Sequence, residues 1–163
     1  LPPLRMVALR SKEVEKVLRE FKEKFGEEVY GRRFESVDLN GGTVYVVDGT
    51  PLILRVEGTL LPTLINIEVL NRLPRVVVDM GAVKHICNGA DVMMPGVREA
   101  SLPLEMGVPV TIMDEKYRKH IAVGVTLTAL KALGGKGKVV RNLHYVGDKV
   151  WKWIKALNIR DKV

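Results

Sequence analysis

Few side chains in this sequence offer nucleophilic, acid–base or metal-ligating chemistry: one cysteine, three serines, three histidines and the carboxylates. His85, His120 and His144 show no metal-ligand spacing. Cys87 stands alone, so an internal disulfide, a thiolate zinc cage and a CxxC redox pair are all excluded. Nothing beside it in sequence lowers its pKa, and Ile86 next to it marks a core thiol. No GxSxG, HExxH, Walker loop or helix-opening GxGxxG occurs. The run Gly134-Gly135-Lys136-Gly137-Lys138 is glycine-rich and basic. It lacks the Walker spacing and a following Ser or Thr, which leaves a strand-joining turn whose lysines touch phosphate or solvent. The sequence thus predicts no catalytic residue, no metal, no cofactor and no enzyme.

What remains is the chemistry of cations. The formal net charge is +7, and it is unevenly spread. Before Pro74 the 11 Lys and Arg are matched by 11 Asp and Glu; from Pro74 onward 15 face 8. No acid occurs from Lys116 through Gly147, while Lys116, Arg118, Lys119, Lys131, Lys136, Lys138 and Arg141 are basic and His120 and His144 lie among them. Such a distribution favours polyanions, because phosphates neutralised by Lys and Arg release condensed counterions. Nucleic acid is the natural partner. Anionic lipid or a heparin-like chain would answer the charge equally well, and basic residues at strand edges also serve solubility alone.

These groups need elements to hold them. At 163 residues the chain is long enough for one domain or two small ones with a real core. Its longest apolar runs fall short of the roughly 18 residues that span a bilayer, so no membrane contact of that kind is expected. A single cysteine suits a reducing, cytoplasmic setting. The absence of Gln with plentiful Lys and Glu matches the composition of hyperthermophile proteins. The opening Leu1-Pro2-Pro3-Leu4 has neither an initiator Met nor a signal-peptide pattern, and is expected to follow a longer natural N-terminus.

Ser11 is a good N-cap, Val14, Val17, Leu18, Phe21 and Phe25 share one helical face, and Gly26 supplies the stop. Short β-type runs follow at Ser36 to Leu39, Thr43 to Val47 and Pro51 to Val56, with Asn-Gly and Asp-Gly turns between them, predicting a meander under that helix. Leu64 to Leu73 predicts a second helix, and Pro74 marks the start of a second domain, giving 1–73 and 74–163. There the pattern predicts a strand at Val76 to Val78, a short helix at Gly81 to Asn88 with Asp79 as its cap, and a strand at Val92 to Met94. That strand leads into a Pro95-Gly96 turn. Strands follow at Val108 to Met113, His120 to Leu127 and Lys138 to Tyr145, with one helical turn at Thr128 to Leu133. A final helix, capped by Asp148, carries Val150, Trp151, Ile154 and Leu157 on one face, and Trp153 is turned away from it. The fold class is α+β, with a small, nearly closed barrel in the second part.

Within 79–97 the residues Asp79, Gly81, Ala82, Gly89, Ala90, Pro95 and Gly96 form the pattern DxGAxxxxxxGAxxxxPG, which resembles the PUA domain named for pseudouridine synthases and archaeosine transglycosylases. Ala122 to Val125 is similar to that family's central strand, and Asn142 to Tyr145 with Asp148 and Trp151 to its closing strand and tail. Gly58 to Leu64 resembles the domain junction of the malignant T-cell-amplified-sequence proteins and their archaeal relatives. The resemblance implies a small N-terminal α/β (pre-PUA) domain followed by a PUA pseudo-barrel of mixed strands with short helices.

It also implies an RNA-binding protein of the translation apparatus, acting on tRNA or small-subunit ribosomal RNA in initiation or ribosome recycling. The implied partners are the small ribosomal subunit and a protein resembling density-regulated protein. An accessory subunit in pseudouridine or archaeosine modification is the alternative, and a protein-interaction module centred on the N-terminal domain is a third.

The family's RNA surface maps here onto Lys84, His85, Asn88, Gly89 and Ala90 and onto Arg141, His144 and Tyr145. Pro95, Gly96, Lys136 and Lys138 complete the expected RNA-binding set. Arg and Lys would position the backbone; Asn, His and Tyr would read an unpaired end. Gly81, Gly89 and Gly96 allow close backbone approach to a phosphate, although glycines also serve turns alone and Tyr145 suits the barrel core.

Overall fold

The computed structural model describes residues 5–161; the opening Leu1 to Leu4 segment lies outside them. The chain forms two compact units, one ending at Val69 and one starting at Leu70.

In the first unit β1 (Val7–Ala8), β2 (Phe34–Leu39), β3 (Gly42–Val47), β4 (Thr50–Val56) and β5 (Thr59–Pro62) form one sheet in chain order, every pair antiparallel. Helix α1 (Ser11–Phe25) lays Val17 and the fully buried Phe21 on Ile53 and Leu60, with Leu18 and Phe25 at the margin. Gly26 ends it in the left-handed conformation, φ 68°, its N–H donating to Lys22 O at 2.7 Å.

Ser11 is not the cap: it is the first helical residue, and extended Arg10 precedes it with no side-chain cap. The helix predicted over Leu64 to Leu73 shrinks to α2 (Ile67–Leu70). The Thr63 hydroxyl donates to Pro51 O and the Asn66 amide to Leu52 O, which ties the preceding residues to β4 and keeps them from coiling.

In the second unit β6 (Arg75–Val78), β7 (Val92–Met93), β8 (Val97–Ala100), β9 (Pro109–Asp114), β10 (His120–Thr126) and β11 (Lys138–Tyr145) form a sheet of order β7-β11-β10-β9-β6-β8. Only β6 and β9 run parallel. Its two edge strands are consecutive in the chain, joined by a 3₁₀ turn at Met94–Gly96, so the sheet nearly closes into a barrel of the PUA type. This agrees with the α+β class expected. The core runs through Val76, Val78, Ile86, Val92, Ile112, Ala122 and Val140. Helix α3 (Met80–Ile86) covers it, and α4 (Lys149–Asp161) ends the described chain.

Strand β8 lies where the sequence pattern predicts no element. The helical turn predicted over Thr128 to Leu133 is absent: Leu130 is buried and exchanges backbone hydrogen bonds with Leu104 at 2.8 and 2.7 Å, which holds the segment extended there. No helix among the described residues is long and apolar enough to cross a membrane.

Candidate nucleic-acid interface

Asp79 caps α3, its Oδ1 accepting from Ala82 N at 2.8 Å. At the other end the N–H groups of Gly89 and Ala90 donate to Ile86 O and His85 O, each at 3.0 Å, and Gly89 takes φ 97°. A Cβ on Gly89 would stand 3.1 Å from the Tyr145 hydroxyl, so turn and strand meet there. At Gly96 a Cβ would meet the Ala82 Cβ at 3.1 Å. Gly96 therefore packs closely against α3.

A residue outside the predicted set links these parts. The Asn142 side chain on β11 donates to Ile86 O at 2.9 Å and to Ala90 O at 3.0 Å, and its backbone N–H donates to Asp91 Oδ1 at 2.9 Å. Its own Oδ1 is buried and has no hydrogen-bond partner among the described residues. The signal was available as an amide set in an apolar β-run.

This lacing brings α3, its C-terminal turn and β11 together, and with them most of the predicted residues. Lys84, His85, Asn88, Gly89 and Ala90 are exposed on the helix end and turn, and Arg141 is exposed on the strand beside Asn142. Tyr145 is half-buried, its ring on the barrel core and its hydroxyl at Gly89. At the start of β11 Lys138 pairs with Asp91 at 3.6 Å, and Gly137 O accepts from Met94 N, so exposed Lys136 and Pro95 belong to neighbouring loops.

His144 does not join them. It is 0% exposed, and its Nδ1 lies 2.8 Å from Asp148 Oδ2. A ring sealed in this way cannot reach a base, so His144 makes no such contact; it pairs with buried Val123 on β10 and faces inward with it. Asp148 also accepts from Tyr145 N at 2.9 Å and Trp151 N at 2.7 Å, capping α4. Burial pushes the Asp148 carboxyl upward, but the hydrogen bonds from His144 and the two backbone N–H groups outweigh it and hold the pKa below the ordinary value.

His120 likewise adds nothing to the basic surface. It is bonded to Thr111 Oγ1 at 2.6 Å and Asn71 Oδ1 at 2.8 Å, and burial lowers its pKa, which keeps it neutral at pH 7. Cys87 is half-buried, and burial raises its thiol pKa. Trp151 and Trp153 are both half-buried, so the contrast expected between them does not appear. Among the described residues no cluster of His, Cys, Asp and Glu could hold a metal ion.

A family model described as the PUA domain matches residues 74–146. An uncharacterized protein of Methanocaldococcus jannaschii is 39% identical over 113 residues, covering 68% of this chain and 70% of that one. Translation machinery-associated protein 20 of Schizosaccharomyces pombe is 30% identical over 122 residues, 68% of this chain and 66% of the relative, so just under two thirds of the yeast protein is spanned. The solved PUA domain from Aeropyrum pernix, a tartrate complex, superposes with a TM-score of 0.77 at 25% identity, covering 94% of this chain and 92% of that one. The chain therefore belongs to the PUA-domain proteins of the malignant T-cell-amplified-sequence, or translation machinery-associated, family, together with their archaeal relatives.

Proposed function

We propose that this chain is an RNA-binding protein of the translation apparatus, holding tRNA or small-subunit ribosomal RNA on the surface formed by α3, its turn and β11, in initiation or ribosome recycling. The observation that carries this reading is the lacing by Asn142, which ties the helix end and turn that hold Lys84 and Asn88 to Ala90 to the strand that holds Arg141. Cations there fix the phosphate backbone, while Asn88 and His85 offer hydrogen bonds to an unpaired base edge. The yeast relative's name supports the setting in translation. In this reading residues 74–163 are the RNA-binding domain, residues 1–73 dock on the small subunit or on a partner resembling density-regulated protein, and the protein works in the cytoplasm.

Binding to purified tRNA and to small ribosomal subunits across a salt series tests it. An interface with Z phosphate contacts gives a slope of about −0.7Z to −0.9Z in log affinity against log salt. Lys84→Glu with Arg141→Glu should abolish most of that binding. Absence of binding to either partner at low salt overturns the proposal.

A further inference from the structure

The hairpin joining β9 to β10 presents an aromatic ring to water from a rigid loop. Tyr117 is 60% exposed. The loop is organised from inside by Asp114, whose buried carboxylate accepts from Tyr117 N and, at 2.9 Å, from Lys119 N. Glu115 N donates to Val78 O at 2.9 Å, Arg118 N to Asp114 O at 3.2 Å, and Arg118 takes the left-handed conformation at φ 57°. The ring's exposure is thus set by a fixed backbone.

The charges around the ring sort themselves into pairs and a remainder. Arg118 is bound by Glu99. Arg98 lies 3.1 Å from Asp79 and 3.9 Å from Glu115. These contacts engage both arginines and the acids Glu99, Asp79 and Glu115, while the fourth acid, Asp114, is occupied by backbone N–H groups inside the loop. Lys116 and Lys119, one on each side of Tyr117 in sequence, have no acidic partner among the described residues, and Lys116 Nζ stands 5.1 Å from the Tyr117 ring centroid.

The contacts of Arg98 also place the hairpin tip beside the N-cap of α3, whereas Lys84, His85 and Asn88 occupy that helix's other end. A helix of seven residues is only about 10 Å long. One bound strand can reach both ends.

We propose that the tip Glu115 to Lys119 is a second contact for single-stranded RNA, in which Tyr117 stacks on an unpaired base and Lys116 and Lys119 hold the flanking phosphates. The inference rests on the RNA-binding reading above. Stacking on an exposed ring between unpaired cations suits every base, because each has a π-face. The contact therefore adds affinity with little sequence preference.

The test uses the full chain and a fluorescein-labelled oligouridylate, together with a bromouridine-substituted copy for photocrosslinking to the wild-type protein. Tyr117→Ala should weaken binding about ten-fold and leave the salt slope unchanged, while Tyr117→Trp retains affinity. Lys116→Ala with Lys119→Ala should reduce the slope by about 1.4. The crosslink should map to the peptide holding Tyr117.

Wild-type affinity in Tyr117→Ala, a crosslink found only elsewhere, or binding to tRNA but not to oligouridylate sinks the hairpin contact. If Lys84→Glu with Arg141→Glu still abolishes binding in that case, the RNA-binding reading survives. If the wild-type chain binds neither oligouridylate, tRNA nor small subunits, both fall.

Discussion

The two units build a small sheet with helices by opposite means. In the first, every strand pairs with its neighbour in sequence, and its register breaks in one pairing. In the second, the order β7-β11-β10-β9-β6-β8 joins distant segments, one pair is parallel, and register breaks in four pairings. Local pairing lets turn chemistry specify the first sheet; the second depends on close fits between residues far apart in the chain. The basic surplus belongs to the second, where side chains such as Asn142 draw a helix end and a strand onto one surface.

Glycine provides the harshest test of that contrast. A Cβ on Gly124 would stand 1.9 Å from Arg141 O, at the break in register between β10 and β11. Gly58 turns at φ 78° with nothing within 4 Å of its Cβ position. Gly124→Ala should cost at least ~3 kcal/mol, because the obstacle is backbone and the strands must separate. Gly58→Ala should cost only ~1 kcal/mol, from the left-handed backbone alone. Urea denaturation measures both, and equal costs would erase the distinction between a turn glycine and a packing glycine.

Charge reversal sharpens the same comparison in function. Lys84→Glu with Arg141→Glu should weaken tRNA binding by about a hundred-fold at moderate salt, and flatten its salt dependence. Lys12→Glu with Lys16→Glu, equally exposed on α1 of the first unit, should change it by no more than about three-fold through long-range potential alone. Comparable losses would mean that net charge, and not a particular surface, governs binding.

How much of this was legible in the sequence follows from the same difference. The meander, α1 and its Gly26 stop were readable because Phe21, Val17 and the Asn-Gly and Asp-Gly turns act over a few residues. The α3 cap at Asp79 and strand β11 were readable for that reason too. The length of α2 was not, since it depends on Thr63 and Asn66 reaching back to β4. The segment at Leu130 was misread because its partner, Leu104, is distant in sequence.

In the candidate site, residue types pointed to cations and turn glycines, and burial then divided them. His144 and Arg141 sit on one strand, yet one is sealed against Asp148 and the other exposed. They stand three residues apart, so strand alternation itself sets them on opposite faces; the family mapping, which places both on one RNA surface, does not carry that difference.

The buried pair itself gives a smaller effect. Asp148→Ala removes the α4 cap and leaves buried His144 without that acceptor, at a cost of ~1–2 kcal/mol at pH 7. The wild-type carboxyl has a folded pKa below its unfolded value. Its stabilisation is therefore present above the ordinary carboxylate range and drains as pH falls through the folded value. The gap between wild type and variant should close in acid. A gap that widens there would reverse the assigned sign.

The smallest effect lies in the first unit, where Arg55 forks onto Glu20 at 3.0 and 3.2 Å across α1 and β4. The Arg55 hydrogen bond, against opposing burial, holds the Glu20 carboxyl below its usual value. The pair is nevertheless open to water, with 29% of the arginine and 41% of the glutamate side chain exposed. Solvent screens it, so Glu20→Gln should cost about 0.5 kcal/mol at low salt and nearly nothing at about 1 M salt. The cost of Asp148→Ala should hardly respond to the same salt, because its hydrogen bonds are enclosed. Two carboxylates shifted in the same direction would then part by salt alone. If salt moved both equally, the Asp148 cluster would have to be as open as the Arg55 pair, and the claim that His144 is sealed from RNA would fail with it.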